Sequence, residues 1–185
     1  MKSLNDLKDR AYKCAVVHGW HEENLSNEHF LCLVISELME GVEADRKGNH
    51  ADTDAFNKYN NFVDFKENFE RQIKGTVEEE LADACIRLLD LAGLRSVDLG
   101  EIDPDELKCS EGFFNWSFTD AIFSLVCNIT NSDYIETHSF DSFLRVALIE
   151  ILVFCVQKEI DIFWHIEQKM KYNELRPYKH GDKSY

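Results

Sequence analysis

Proline and glycine are scarce in this chain, and their scarcity narrows the choice of fold. The 185 residues contain two prolines and eight glycines, too few for the many tight turns of an all-β protein. Apolar residues make up 44% of the sequence, which is enough to bury a substantial core. We therefore predict an all-α fold, with residues 1–185 forming a single helical domain built as a bundle of four or five helices.

Apolar residues recur at helical spacing in several segments, which predicts the long helices. These segments cover about residues 4–18, 28–47, 77–94, 117–131 and 139–173. Ser26 is a candidate N-cap for the second helix, and Thr76 with Glu79 forms a capping box at the start of the third. Residues 49–75 are predicted to be an insertion that contains one short amphipathic helix. Residues 96–118 are predicted to be an irregular connection.

The charge of the chain limits its partners. It has 35 Asp and Glu against 20 Lys and Arg, a net charge of −15, which disfavours nucleic-acid binding. Its longest apolar run, residues 146–156, is far shorter than the roughly 20 residues needed to cross a bilayer. The charged first ten residues lack the apolar segment of a signal peptide, and the six cysteines are expected to be reduced core residues. We expect a cytoplasmic protein with no nucleic-acid partner and no membrane attachment.

Two pairs of acidic residues are the strongest chemical signal. Glu37 and Glu40 lie three residues apart on the second predicted helix, and Glu80 and Asp83 have the same spacing on the third. Residues at i and i+3 share one helical face. If these helices pack side by side, four carboxylates converge, and their repulsion favours a divalent cation between them. Oxygen ligands with open positions suit Mg²⁺, with Mn²⁺ as a substitute.

Other interpretations of these acidic residues remain open. Glu80, Asp83, Arg87 and Asp90 form a polar stripe opposite an apolar one, which is also typical of a helix with one face in solvent. Glu37 differs, because its helix is apolar around most of its circumference and a carboxylate there needs a partner. A di-iron centre is disfavoured, because none of the seven histidines has a glutamate three residues before it.

The C-terminal segment is basic in an otherwise acidic chain. Lys169, Asn173 and Arg176 follow one another at steps of four and three residues, which places them on one face of a helix. An ammonium, an amide and a guanidinium on one face suit the oxygens of a polyphosphate. Cations near a helix C-terminus also complement the helix dipole, and this simpler explanation stays open.

Taken together, these motifs resemble the MazG-like branch of the all-α nucleoside triphosphate pyrophosphohydrolases, which includes dimeric dUTPases and dCTP pyrophosphatases. The resemblance covers about residues 19–180. It implies Mg²⁺-dependent hydrolysis of a nucleoside triphosphate, expected to be a deoxy or non-standard nucleotide, to the monophosphate and pyrophosphate, in a homodimer or homotetramer. The chain departs from the family at Ser36, where the first motif generally has a further glutamate. It also has a long spacing from Glu40 to Glu80, and residues 97–140 have no counterpart.

The resemblance also suggests a role for each candidate residue. The four acidic residues would bind Mg²⁺, with Glu37 also orienting or deprotonating the attacking water. Lys169 and Arg176 would hold the phosphates, and Asn173 would fix their geometry. Trp20 would stack on the nucleobase, with His29 and His180 as further candidates for substrate binding.

Two alternatives accompany these assignments. Trp20 is equally suited to closing the core beside the end of the first helix. The chain as a whole is alternatively a non-catalytic helical module that binds nucleotides or another protein, and the serine at position 36 favours this alternative. Convergence of the acidic groups within metal-bridging distance distinguishes the two functions.

Overall fold

The computed structural model describes residues 3–103, 105–107, 113, 115–131 and 139–179. These residues form eight helices and no strand, which confirms the predicted helical class for this part of the chain. The helices are α1 (Leu4–Val17), α2 (Asn27–Lys47), α3 (Thr53–Tyr59), α4 (Phe65–Gln72), α5 (Val77–Leu94), α6 (Phe118–Ile129), α7 (Phe140–Gln157) and α8 (Ile162–Glu174). None of these helices is both long enough and apolar enough to span a membrane.

Helix α5 is the centre of the fold. It packs against α1, α2, α7 and α8, while α6 packs against α2 and α7. Apolar side chains on several sides of α5 are buried, which explains why it contacts so many neighbours. Those buried apolar residues are Val77, Leu81, Ala82, Ala84, Cys85, Leu88, Leu89, Leu91 and Ala92. A polar side chain on α5 therefore has little access to bulk solvent.

The two helices that carry the acidic pairs have clear boundaries. The Ser26 side chain accepts a hydrogen bond from the His29 N–H at the start of α2, and Gly48 ends that helix with a φ of 64°. The Thr76 side chain accepts from the Glu79 N–H at the start of α5. Both starts agree with the predicted caps, because a cap depends only on residues within one turn.

The predicted long last helix is wrong, since the chain breaks between α7 and α8. Lys158 ends α7, and Glu159 then adopts a φ of 60°. The Ile160 N–H donates to the Cys155 carbonyl at 2.9 Å, which closes the end of α7. The Asp161 side chain begins α8 by accepting from the Trp164 N–H. Because the left-handed residue is a glutamate rather than a glycine, the break carries no glycine signal.

Residues 49–75 contain two short helices, α3 and α4, where one was predicted. They form a small second cluster of buried residues with α8. Its buried members are Phe56, Phe69, Ile73 and Tyr172. Phe69 stacks on Tyr172 with ring centroids 4.5 Å apart, so this segment supports the helix that carries Lys169 and Asn173.

Of the five cysteines that the structure describes, only some lie in the core, and Cys109 lies outside the described residues. Cys85 and Cys155 are buried as expected, whereas Cys32 and Cys127 are exposed, so the expectation of core cysteines is wrong for these two. Both exposed residues lie on outward faces of otherwise apolar helices, where neighbouring residues in sequence are a poor guide to burial.

Candidate functional site

Helices α2 and α5 bring three of the four predicted carboxylates together. Glu37, Glu40 and Glu80 each offer one oxygen, and these oxygens all lie within 4.8 Å of one another. We call these three residues the acidic triad. Glu37 and Glu80 are buried and Glu40 is exposed, so the triad opens to solvent on one side. The predicted side-by-side packing of the two helices accounts for this convergence.

Burial gives the triad unusual acid–base properties. Burial, and then the charges of Glu40 and Glu37, raises the pKa of Glu80 to about 7, while Lys74 acts in the opposite direction. A carboxylate in such a place favours a proton or another cation, because repulsion from its neighbours is then removed. The arrangement therefore has the electrostatic character of a cation site.

Glu37 has the partner that its apolar surroundings required. Arg87 donates to the Glu37 Oε1 atom from Nε at 3.0 Å and from Nη2 at 2.9 Å. Both bonds go to one oxygen, and within the described residues no hydrogen bond reaches Oε2. Arg87 thus fixes the carboxylate and leaves one of its oxygens available. The side-chain hydrogen bonds of Arg87 go to Glu37 rather than to Asp83, its neighbour on α5.

Asp83 lies outside the acidic triad and pairs with Lys169. The Lys169 Nζ atom is 2.6 Å from Asp83 Oδ2 and also contacts the Glu79 carboxylate. Lys169 is 5% exposed and Glu79 is 2% exposed, so this is a buried charge cluster. Burial raises the pKa of Asp83 and lowers that of Lys169 to about 7. The ammonium that was predicted to hold phosphate therefore neutralises acidic groups of the protein.

The polar stripe on α5 is not a solvent face. Two of its four residues, Glu80 and Asp90, are buried. Asp83 and Arg87 are partly buried and bonded to other side chains.

Glu79 was recognised only as part of the capping box, where its Oε2 atom accepts from the Gly75 N–H at 2.8 Å. Its contact with Lys169 was missed, because nothing near Glu79 in sequence indicates a partner ninety residues away.

A pocket open to solvent lies beside α5, and its wall includes Arg87, which donates hydrogen bonds to Glu37 of the acidic triad. Trp20, Asp83, Asn173 and Arg176 also line this pocket. The Asn173 Oδ1 atom is buried and has no hydrogen-bond partner within the described residues. The structure thus brings three of the predicted substrate-binding residues, Trp20, Asn173 and Arg176, to one pocket, whereas Lys169 does not line it.

The C-terminal segment that carries Arg176 is tied to the end of α1. The His18 ring contacts the Cys14 carbonyl at 2.7 Å and the Arg176 carbonyl at 2.9 Å. The Lys179 N–H donates to the His18 carbonyl at 3.0 Å. These bonds hold Arg176 at the wall of the pocket.

Two histidine candidates do not contribute to the described site. His29 packs edge-to-face on Phe30, with ring centroids 5.5 Å apart, and does not line the pocket. His180 lies outside the described residues. A histidine that sequence reasoning missed does lie close by: His21 Nε2 is 2.7 Å from Oδ1 of Asp90, which lines the pocket.

Comparison with known protein families, curated proteins and solved structures finds no match to this chain. The functional argument therefore depends on the geometry of the acidic triad and the adjoining pocket.

Proposed function

We propose that this protein is a nucleoside triphosphate pyrophosphohydrolase of the MazG-like all-α type, which uses Mg²⁺ to produce the monophosphate and pyrophosphate. The observation that carries the proposal is the position of the acidic triad. Three carboxylates from adjacent helices lie within 4.8 Å of one another, next to a pocket lined by Trp20, Asn173 and Arg176. A metal-binding cluster beside a cavity with an aromatic ring and a guanidinium is what nucleotide hydrolysis needs.

The donor atoms of the triad fit Mg²⁺, and Mn²⁺ is a plausible substitute. All three are carboxylate oxygens, and the exposed side at Glu40 leaves room for water and phosphate oxygens. The raised pKa of Glu80 supports this choice, because a divalent cation there removes the repulsion that holds its proton. When bound, Mg²⁺ acidifies water and neutralises the charge of a leaving pyrophosphate.

Glu37 is the residue best placed to act on the attacking water. Arg87 holds its Oε1 atom, so Oε2 has a fixed direction and is available to accept a proton. The reaction consumes one water: its oxygen bonds to the α-phosphorus as the bond to the pyrophosphate oxygen breaks, and its proton passes to Glu37. Glu40 and Glu80 complete the set of metal ligands.

The remaining residues bind the nucleotide. Arg176 is a half-buried guanidinium at the pocket wall and can contact two phosphate oxygens at once. Asn173 offers a buried amide oxygen, and Trp20 offers an aromatic surface for the base. Asp83 and Lys169 bind each other in the ligand-free protein, and we propose that phosphate and metal compete for them when substrate enters.

A second candidate is a helical module that binds a nucleotide or another protein without cleaving it. Two observations favour it. Ser36 occupies the position of a family glutamate, and Asp83 forms an ion pair with Lys169 instead of joining the acidic triad. The proposed homodimer or homotetramer is compatible with either candidate.

Pyrophosphate release from a panel of ribo- and deoxyribonucleoside triphosphates tests the proposal. We expect Mg²⁺-dependent release by the intact protein and a loss of at least about 100-fold in Glu37→Gln and Glu80→Gln. Glu43→Gln is the matched control, because Glu43 is exposed on the same helix and pairs only with Arg46 and Lys47. Absence of release by folded protein with saturating Mg²⁺ would favour the binding module.

A further inference from the structure

Asp90 lines the pocket and forms a buried pair with His21, which the proposed chemistry does not use. Asp90 Oδ1 accepts from His21 Nε2 at 2.7 Å, and the two side chains are only 11% and 7% exposed. The His21 ring packs against Tyr12 and Phe30, with centroids 5.3 and 5.8 Å away. The imidazole is therefore held by packing, and it in turn fixes the orientation of the Asp90 carboxylate.

Asp90 is separated from the phosphate-binding end of the pocket. Asp83, Arg87 and Asp90 lie on one face of α5 and all line the pocket. Seven residues of α-helix advance by about 10 Å, so Asp90 lies about that distance along the helix from Asp83. A nucleotide whose phosphates lie beside the triad and Arg176 therefore has its base, rather than its phosphates, near Asp90.

The pocket wall carries two hydrogen-bond acceptors that lack a donor within the described residues. The Asn173 Oδ1 atom is buried without a partner, and the Asp90 carboxylate uses only its Oδ1 atom, to bind His21. The buried amide oxygen is costly without a donor, so a ligand that donates N–H groups to it and to the Asp90 Oδ2 atom gains affinity. A ligand carbonyl in the same place would face a carboxylate and be rejected.

We propose that Asp90, positioned by His21 and assisted by Asn173, selects nucleobases that carry an exocyclic amino group over their keto counterparts. This inference deepens the proposed function, since it assumes that the pocket receives the base of a nucleotide. Cytosine and adenine present an amino group where uracil and hypoxanthine present a carbonyl oxygen. Asp90 is the specificity-determining residue, and His21 is a positioning residue that acts through it.

Binding of monophosphates in the presence of Mg²⁺ tests this inference independently of catalysis, because the proposed reaction does not cleave a monophosphate. Calorimetry should compare deoxycytidine with deoxyuridine monophosphate, and deoxyadenosine with deoxyinosine monophosphate. We expect the amino-bearing member of each pair to bind about 10-fold or more tightly, as a hydrogen bond to a charged group allows. Equal affinity within both pairs, or no binding of any of the four nucleotides, overturns the inference.

Variants assign the effect to the two residues. Asp90→Asn should bring the affinity ratio close to one, and His21→Phe, which keeps an aromatic ring between Tyr12 and Phe30, should reduce it. Glu106→Gln is the control, because it removes one carboxylate of an ion pair with Arg145 outside the pocket and should leave the ratio unchanged. An unchanged affinity ratio in Asp90→Asn contradicts the inference. If a variant does not fold, the comparison of the nucleotide pairs on the wild-type protein still tests the inference.

A further comparison separates the base from the sugar as the donor. Dideoxycytidine monophosphate lacks the sugar hydroxyl and should keep its advantage over dideoxyuridine monophosphate; loss of that advantage overturns the inference. The outcome is also separable from that of pyrophosphate release. If the protein cleaves triphosphates of every base and binds the paired monophosphates equally, only the base-selection inference is wrong. If it binds the amino-bearing monophosphates selectively but cleaves no triphosphate, only the hydrolase proposal is wrong.

Discussion

Lys169 lies 2.6 Å from Asp83, an acidic residue expected to bind metal, and its ammonium also contacts Glu79. The protein thus neutralises its fourth acidic site residue with a cation of its own. Of the other three carboxylates, Glu37 is paired with Arg87 through one oxygen, whereas Glu40 and Glu80 have no ion pair within the described residues. The acidic triad therefore keeps carboxylate oxygens that no protein cation occupies.

Replacing Lys169 by methionine should destabilise the metal-free protein by about 3 kcal/mol or more, because Glu79 and Asp83 are left as buried charges without a cation. Mg²⁺ or Mn²⁺ should then raise the Tm of the variant more than that of the wild type, since Asp83 becomes available to the ion. Thermal unfolding with and without the metal measures both effects. Lys171→Met, at an exposed position on the same helix, is the control. An equal metal-induced increase in Tm in Lys169→Met and wild type would contradict this account of Asp83.

Arg87→Met should slow pyrophosphate release by about 10- to 100-fold while retaining most Mg²⁺ binding. Arg87 donates two hydrogen bonds to Glu37, and side chains that hydrogen-bond a metal ligand typically contribute effects of this size. Steady-state kinetics measures the loss of turnover, and a Mg²⁺ titration monitored by calorimetry measures metal affinity. Together they separate a loss of Glu37 orientation from a loss of bound Mg²⁺. Arg10→Met is the control, because Arg10 pairs with Glu167 outside the site. A variant with unchanged turnover would exclude a positioning role for Arg87.

Stability without metal should depend on pH through Glu80. Its pKa in the folded protein is raised to about 7, so the folded state holds this proton more tightly than the unfolded state does. The stabilisation is therefore complete below the ordinary pKa of the carboxyl and is lost as the pH rises through about 7. In divalent-free buffer, Glu80→Gln should gain about 1–3 kcal/mol relative to wild type between pH 5 and pH 8. Parallel pH profiles for the two proteins, measured by denaturant unfolding, would show that Glu80 does not titrate in this range.

The helix break between α7 and α8 allows a test of the fold. Glu159 is exposed and has a φ of 60°, a conformation that glycine adopts without the steric cost of a Cβ atom. Glu159→Gly should therefore stabilise the protein by about 0.5–1 kcal/mol, measured by urea unfolding. Lys158→Gly, at the adjacent residue with a φ of −95°, should not share this gain. Destabilisation by Glu159→Gly would indicate that the two helices are continuous.

Local sequence signals account for the helices and for part of the site. The starts of α2 and α5 follow from Ser26 and Thr76, because a cap is formed within one helical turn. Three residues of the acidic triad also follow from helical spacing, once two amphipathic helices are assumed to pack side by side. The same spacing also predicted that Asp83 would join them, whereas the structure pairs Asp83 with Lys169.

Contacts between distant residues explain what the sequence alone did not predict. Two such contacts join residues more than sixty positions apart. They are the ion pair between Asp83 and Lys169 and the hydrogen bond between His21 and Asp90. The stripe on α5 resembles a solvent face until α1, α2 and α8 cover it. The break at Glu159 has no signal in the sequence, because the left-handed residue is a glutamate rather than a glycine.

Hydrolysis in water labelled with a heavy oxygen isotope tests the central claim most directly. The account predicts that Mg²⁺-dependent cleavage of a nucleoside triphosphate places the label in the monophosphate, because water attacks the α-phosphorus. Mass spectrometry of both products locates it. Label in pyrophosphate or in inorganic phosphate, or no cleavage of any triphosphate by folded protein with saturating Mg²⁺, would contradict the proposed function.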